Sequence, residues 1–221
     1  MRKHPVHRPK GFSLLELMVV VAIMMIVAAV CVMTVNTAVQ TSRIRGTANR
    51  YAELLQTARA RAAADDRFYS VYIAPAAGNN PPIAYVDIEP KALNGVSGNG
   101  APPGGARDPR DPMTTISPGV ILQPVGAAPA TANLRGLFCG NCTAGIVLNT
   151  APTWGPDGMP CRAQGSIDGS SMVCNSGGGP WAYVTYFQSQ VNQQWSAVTI
   201  SPAGRVKAWY YSPNTGIWAP Q

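Results

Sequence analysis

Glu16 is the residue whose position most demands a chemical explanation. It is the one carboxylate in FSLLELMVVVAIMMIVAAVCVMTV, and from Leu17 to Val35 no formal charge follows it. An ionisable group inside an apolar run needs a partner, which makes it a functional candidate by default. Other reactive side chains are few. The histidines are His4 and His7, both ahead of the apolar run, and Cys31 lies within it. Cys139, Cys142, Cys161 and Cys174 fall further along the chain.

Residues 12–221 therefore contain no histidine, which excludes Ser-His-Asp, Cys-His and His-metal chemistry there and leaves carboxylate or lysine chemistry. Asp157 and Asp168 are near one another in sequence, but Pro-Asp-Gly and Ile-Asp-Gly-Ser are turn sequences. No glycine-rich phosphate loop carries the required Lys-Ser/Thr. The expectation is a protein that is not an enzyme and holds no cofactor.

Two readings compete for the four later cysteines. In an oxidising compartment they would form two disulfides, Cys139 with Cys142 and Cys161 with Cys174 being one of three pairings four cysteines allow. Cys-Gly-Asn-Cys also has the spacing of half a zinc ribbon, but Cys161 and Cys174 lack the matching close spacing, so no metal is expected.

The elements that would position Glu16 begin with MRKHPVHRPKG, a basic stretch running directly into the apolar one. About 20 apolar residues at 1.5 Å rise span a bilayer core, and basic residues before them favour a cytoplasmic N-terminus. The run is too long for the 7–15-residue core of an ordinary secretory signal. Its Val, Ile, Leu and Phe side chains contribute about −4 to −8 kcal/mol toward insertion, against at most about 2.5–3.5 kcal/mol for an acid at the centre. Insertion with the following domain in the periplasm is expected.

Gly11-Phe12-Ser13-Leu14-Leu15-Glu16-Leu17 resembles the class III signal of type IV prepilins and type II secretion pseudopilins. The resemblance implies that a prepilin peptidase cuts between Gly11 and Phe12 and methylates the new N-terminal Phe12. It further implies that Glu16 pairs with the N-terminal amine of a neighbouring subunit. Physically, an amine and a carboxylate offset each other's desolvation in a low-dielectric bundle and penalise wrong register. The alternative is that Glu16 only snorkels to headgroups in an ordinary signal anchor.

Beyond Val35, Ile44, Ala48, Tyr51, Leu55, Ala58 and Ala62 recur at steps of three and four, which is helical spacing. The spacing predicts a helix from about Phe12 to Ala64, with a kink at Gly46 an option. Arg43, Arg50, Glu53, Arg59 and Arg61 lie off that stripe and read as a solvated face. Formal charge supports this economy: the total of +7 includes Arg2, Lys3, Arg8 and Lys10, and without them 13 basic residues face 10 acidic ones.

After Asp65-Asp66 the pattern changes to short β-forming runs at 68–73, 83–88, 119–123, 145–148, 181–188, 195–201 and 205–211, which predict a mainly antiparallel sheet. Residues 94–112, rich in Gly, Pro and Asn, read as an exposed loop, and 155–180 as a second irregular stretch. The boundaries expected are a leader at 1–11, a transmembrane and filament-core helix at 12–35, its amphipathic continuation at 36–66 and a β-rich head at 67–221.

A second resemblance rests on Trp154-Gly155-Pro156-Asp157-Gly158 and on Val198-Thr199-Ile200-Ser201-Pro202-Ala203-Gly204-Arg205-Val206-Lys207. These are similar to the minor pilin and pseudopilin group that includes FimT and GspH. This implies an α+β, pilin-like fold, with a long N-terminal helix, transmembrane in its first half, packed on two small antiparallel sheets. The expected partners are the prepilin peptidase, other pilin or pseudopilin subunits, and the inner membrane with its assembly platform. DNA is an alternative partner, because Arg205 and Lys207 would share one strand face near Trp209, Tyr210 and Tyr211 and could meet phosphates and bases. The competing reading of those residues is a turn followed by a terminal strand.

Overall fold

A computed structural model of the chain describes residues 13–74, 76, 80–89, 111–123, 128–139, 146–148, 151–161, 163–164, 173–174 and 181–221, with residues 30–34, 89, 123, 146–148, 163–164 and 173–174 described by their backbone alone. Ser13 starts the first helix, α1 (Leu14–Asp65), by accepting the Glu16 amide on its hydroxyl oxygen at 3.2 Å and the Leu17 amide on its carbonyl at 3.2 Å. A serine side chain at this position satisfies an amide that the first helical turn leaves unpaired. The helix ends where Asp66 turns to a positive φ of 53° and the Arg67 amide reaches back to the Ala62 carbonyl. Asp is among the few side chains that tolerate that conformation.

The chain divides into two compact units, one ending at Val39 and the other running from Gln40 to Gln221. In the first, the described side chains from Leu14 to Val27 are exposed all round the helix. Among the described residues, no helix is long and apolar enough to cross a membrane. The expectation of a span at 12–35 therefore goes beyond what is described. Gly11 and Phe12, and the side chain of Cys31, lie outside the described residues.

In the second unit the helical stripe packs as its spacing predicts: Ile44, Ala48, Tyr51, Leu55, Ala58 and Ala62 are each at most 1 % exposed. Gly46 sits within α1 without interrupting it. The stripe meets two sheets. The five-stranded one is ordered β3 (Met113–Thr115), β2 (Ile83–Glu89), β1 (Phe68–Ala74), β6 (Thr153–Trp154), β7 (Pro160–Cys161). The other runs β13 (Ile217–Pro220), β12 (Val206–Ser212), β11 (Trp195–Ile200), β10 (Ala182–Ser189), β4 (Val120–Gln123), with β5 (Ile146–Leu148) parallel to β10. β8 (Ala163–Gln164) and β9 (Val173–Cys174) pair separately.

Alternation along β10 shows how the six-stranded sheet is covered on both faces. Tyr183 and Phe187 join the cluster around α1, where the Phe187 and Tyr51 rings meet edge-on at 5.4 Å. Val184 and Tyr186 point the other way and pack with Trp195, Trp209 and Trp218 beneath Leu134 of a short second helix, α2 (Thr131–Cys139). A period of two is what a strand buried on both faces requires. Burying aromatic side chains of this size is worth about 1.5–3 kcal/mol each, so the second cluster is a substantial core of its own.

The mainly antiparallel head, the long helix and the seven sequence-predicted strands are found, with ends shifted by a residue or so. The structure adds α2, β3, β6 to β9 and β13, four of them only two residues long. The stretch read as irregular from 155 to 180 contains β7, β8 and β9. Of the loop expected at 94–112, only Asp111 and Pro112 are among the described residues.

Candidate functional site

At the N-terminal end, Glu16 occupies the first turn of α1. It is exposed, as are Leu14, Leu15, Leu17 and Met18 beside it. A carboxylate set into an uncovered apolar surface is an arrangement made for a second chain or a lipid phase, since monomeric soluble proteins rarely leave such surfaces open. Gly11, Phe12, His4 and His7 lie outside the described residues.

The second region is the end of the head where two turns meet α1. Trp154 to Gly158 makes the first turn, closed by the Gly158 amide on the Gly155 carbonyl at 2.9 Å and by the Asp157 carboxylate accepting the Met159 amide at 3.0 Å. Ser201 to Arg205 makes the second, closed by the Gly204 amide on the Ser201 carbonyl at 2.8 Å. Asp157 is thus a turn residue, as its sequence context implied.

Arg59 joins both turns to the helix. Its Nε donates to the Gly158 carbonyl at 2.9 Å and its Nη1 to the Gly204 carbonyl at 2.8 Å, with Cζ lying 5.8 Å from the centre of the fully buried Trp154 ring. The assignment of Arg59 to a solvated helix face is therefore corrected. The residue is half-buried because two backbone carbonyls, which periodicity cannot display, need a charged donor at that spot. Gly204 has φ of 75°, and a Cβ there would lie 3.1 Å from both Arg59 Cζ and the Gly158 oxygen. Only glycine fits both the turn and the clasp.

Arg205 and Lys207 follow immediately, both exposed, on the rim of a cleft of about 780 Å³. The aromatic residues beside them are engaged within the head. Trp209 is buried and donates its Nε1 proton to Thr199 Oγ1 at 2.8 Å, Tyr210 lies under Arg45 at 4.1 Å, and Tyr211 packs on Trp218 at 5.3 Å. Lys207 Nζ stands 5.6 Å from the Trp209 ring. Arg205 and Lys207 thus lie near one another on this rim, beside aromatic residues that each have a partner within the head.

Cys139 ends α2 and Cys161 lies in β7, and each is disulfide-bonded. Cys142 and the side chain of Cys174 lie outside the described residues, while the backbone of Cys174 pairs with Ala163, two residues from Cys161. Among the described residues, no group of three or more His, Cys, Asp or Glu could hold a metal ion.

The α+β arrangement of a long N-terminal helix and mainly antiparallel sheets is consistent with a pilin-like fold. A sequence profile described as the prokaryotic N-terminal methylation motif matches residues 7–32, which supports the type IV pilin and pseudopilin family in the broad sense. No curated protein and no solved structure gives a significant match to the chain.

Proposed function

We propose that the chain is a minor type IV pilin or type II secretion pseudopilin: a structural subunit, not an enzyme, that enters or caps a filament. The observation that carries this reading is the methylation motif at residues 7–32 enclosing Gly11, Phe12 and Glu16, with Glu16 in the first turn of a 52-residue helix. The prepilin peptidase cuts after Gly11 and methylates Phe12. The helix from 12 to about 35 holds the chain in the bacterial inner membrane, with a periplasmic head, until the assembly platform moves it into the filament. Glu16 then pairs with the amine of a neighbouring subunit. The Trp154–Gly158 and Gly204-Arg205 turns held by Arg59 are the features most similar to FimT and GspH, and they favour a minor over a major subunit.

Removing one member of a buried ion pair costs about 3–5 kcal/mol. Glu16→Ala should therefore leave membrane levels unchanged but lower recovery in sheared filaments by at least roughly tenfold. Undiminished recovery would contradict the register role.

A second reading is DNA capture during uptake, favoured by the exposure of Arg205, at the end of the turn, and of Lys207 on β12. It predicts binding that weakens steeply with salt and is lost when both become Ala. For the cysteines we propose the pairs Cys139–Cys142 and Cys161–Cys174, which would hold the end of α2 and the segment after β7.

A further inference from the structure

Two clefts open along β12. The walls of the first include Gln56 and Arg59 of α1, Leu137 and Phe138 of α2, and the chain from Ser201 to Lys207. Because α1 and α2 pack on opposite faces of the six-stranded sheet, a cleft touching both must straddle an edge of that sheet. That edge comprises the turn from Ser201 to Arg205 and the start of β12. β13 pairs with β12 only from Trp209 to Ser212, and the Gln221 amide adds one bond to the Ala208 carbonyl at 3.1 Å.

Backbone alternation identifies which groups this leaves open. The Arg205 carbonyl accepts the Ser201 amide, so 205 and 207 turn their hydrogen-bonding groups toward β11, and 206 and 208 turn theirs outward. Ala208 is met by Gln221. Val206 is the next outward position, beyond the reach of β13. The second cleft, about 510 Å³, shares Gln56, Val206 and Lys207 with the first, so the two form one trough along the edge.

The trough is chemically lopsided. Among the described residues the first cleft contains Arg59, Arg205 and Lys207 and no carboxylate, while Leu137, 54 % exposed, and Phe138 give it an apolar wall. Glu53 lies in the second cleft. An open edge normally invites any strand, and charged side chains on it discourage pairing with another copy of itself. Arg205 and Lys207 repel a second copy of this edge and attract a negatively charged one. An extended peptide added to an edge gains main-chain hydrogen bonds, with its alternate side chains read by flanking pockets.

We infer that this trough receives an extended acidic segment of another protein, which pairs with Val206, sets an apolar side chain against Leu137 and Phe138, and places carboxylates by Arg205 and Lys207. The inference does not depend on incorporation into a filament.

The test uses the full-length chain in detergent micelles and fluorescein-labelled peptides of about eight residues that alternate an apolar residue with Glu. Matching peptides with Lys in place of Glu, and an oligothymidylate, serve as competitors. The Glu peptides should bind at least about tenfold tighter than the Lys peptides, and Arg205→Glu with Lys207→Glu should reverse the preference without lowering the melting temperature. Bound Glu peptide should also slow hydrogen exchange at the Val206 amide by about tenfold or more. Equal binding of Glu and Lys peptides, unchanged Val206 exchange in the bound state, or binding of the oligothymidylate alone would overturn the inference.

Discussion

Arg59 Nη1 donates to the Gly204 carbonyl at 2.8 Å across 145 residues of sequence, and through it α1 holds the turn that precedes β12. Because Nε of the same guanidinium holds Gly158, one side chain ties both sheets to the helix.

Replacing Arg59 by Met keeps much of the side-chain volume and removes both charged hydrogen bonds. Each is worth about 1.5–3 kcal/mol, and the two carbonyls lose their donor, so the head should lose about 2–4 kcal/mol. Urea denaturation followed by tryptophan fluorescence measures it, and a loss below about 1 kcal/mol would deny the clasp.

Gly204→Ala places a Cβ 3.1 Å from Arg59 Cζ and from the Gly158 oxygen at φ of 75°, and should cost about 1–3 kcal/mol. Combined with Arg59→Met, the two costs should fall short of additivity by at least about 0.5 kcal/mol, because part of the clash disappears with the guanidinium. Strict additivity in the double-mutant cycle would show that the sites act separately.

The contrast between α1 and Arg59 shows what the sequence could disclose. The stripe from Ile44 to Ala62 was readable because burial repeats with the helical period, and β10 to β12 were readable because their β-formers run for six residues or more. The role of Arg59 is not legible in the sequence because its partners are two backbone carbonyls about 100 and 145 residues away, which leave no pattern in side-chain types. α2 carries little sequence signal because its apolar residues Leu134, Leu137 and Phe138 make barely one turn of periodicity around Gly136. Two-residue strands such as β6 and β7 owe their existence to neighbours already in place. At the N-terminus the legible signal was chemical: one carboxylate at a fixed distance from a Gly-Phe junction.

Alkaline pH should weaken the head in a defined window. Burial pushes the Tyr51 and Tyr186 hydroxyls up to about 12 from the ordinary 10.0. Tyr69 also rises to about 12, chiefly by burial and then through its hydrogen bond to Asp65. Raised folded-state values mean that the neutral phenols stabilise the fold fully below pH 10, and that this stability is lost as pH rises through about 12. Stability should therefore fall from pH 10 upward, less steeply in Tyr51→Phe, as tracked by tyrosinate absorbance and circular dichroism. A flat profile between pH 10 and 12 would contradict the burial of these groups.

Reduction should destabilise the head by about 2–4 kcal/mol, the usual worth of closing such loops. A peptide map under non-reducing conditions should recover Cys139 linked to Cys142 and Cys161 linked to Cys174. A peptide joining Cys139 to Cys161 would contradict the pairing.

Processing at Gly11 precedes every later role of the chain, and mass spectrometry of the chain isolated from membranes tests it most directly, with wild type and Gly11→Ala expressed alongside the prepilin peptidase. The expected result is a mature chain beginning at N-methylated Phe12 in the wild type and an intact leader in the variant. A wild-type chain that keeps MRKHPVHRPKG would contradict it and leave an ordinary membrane anchor in its place.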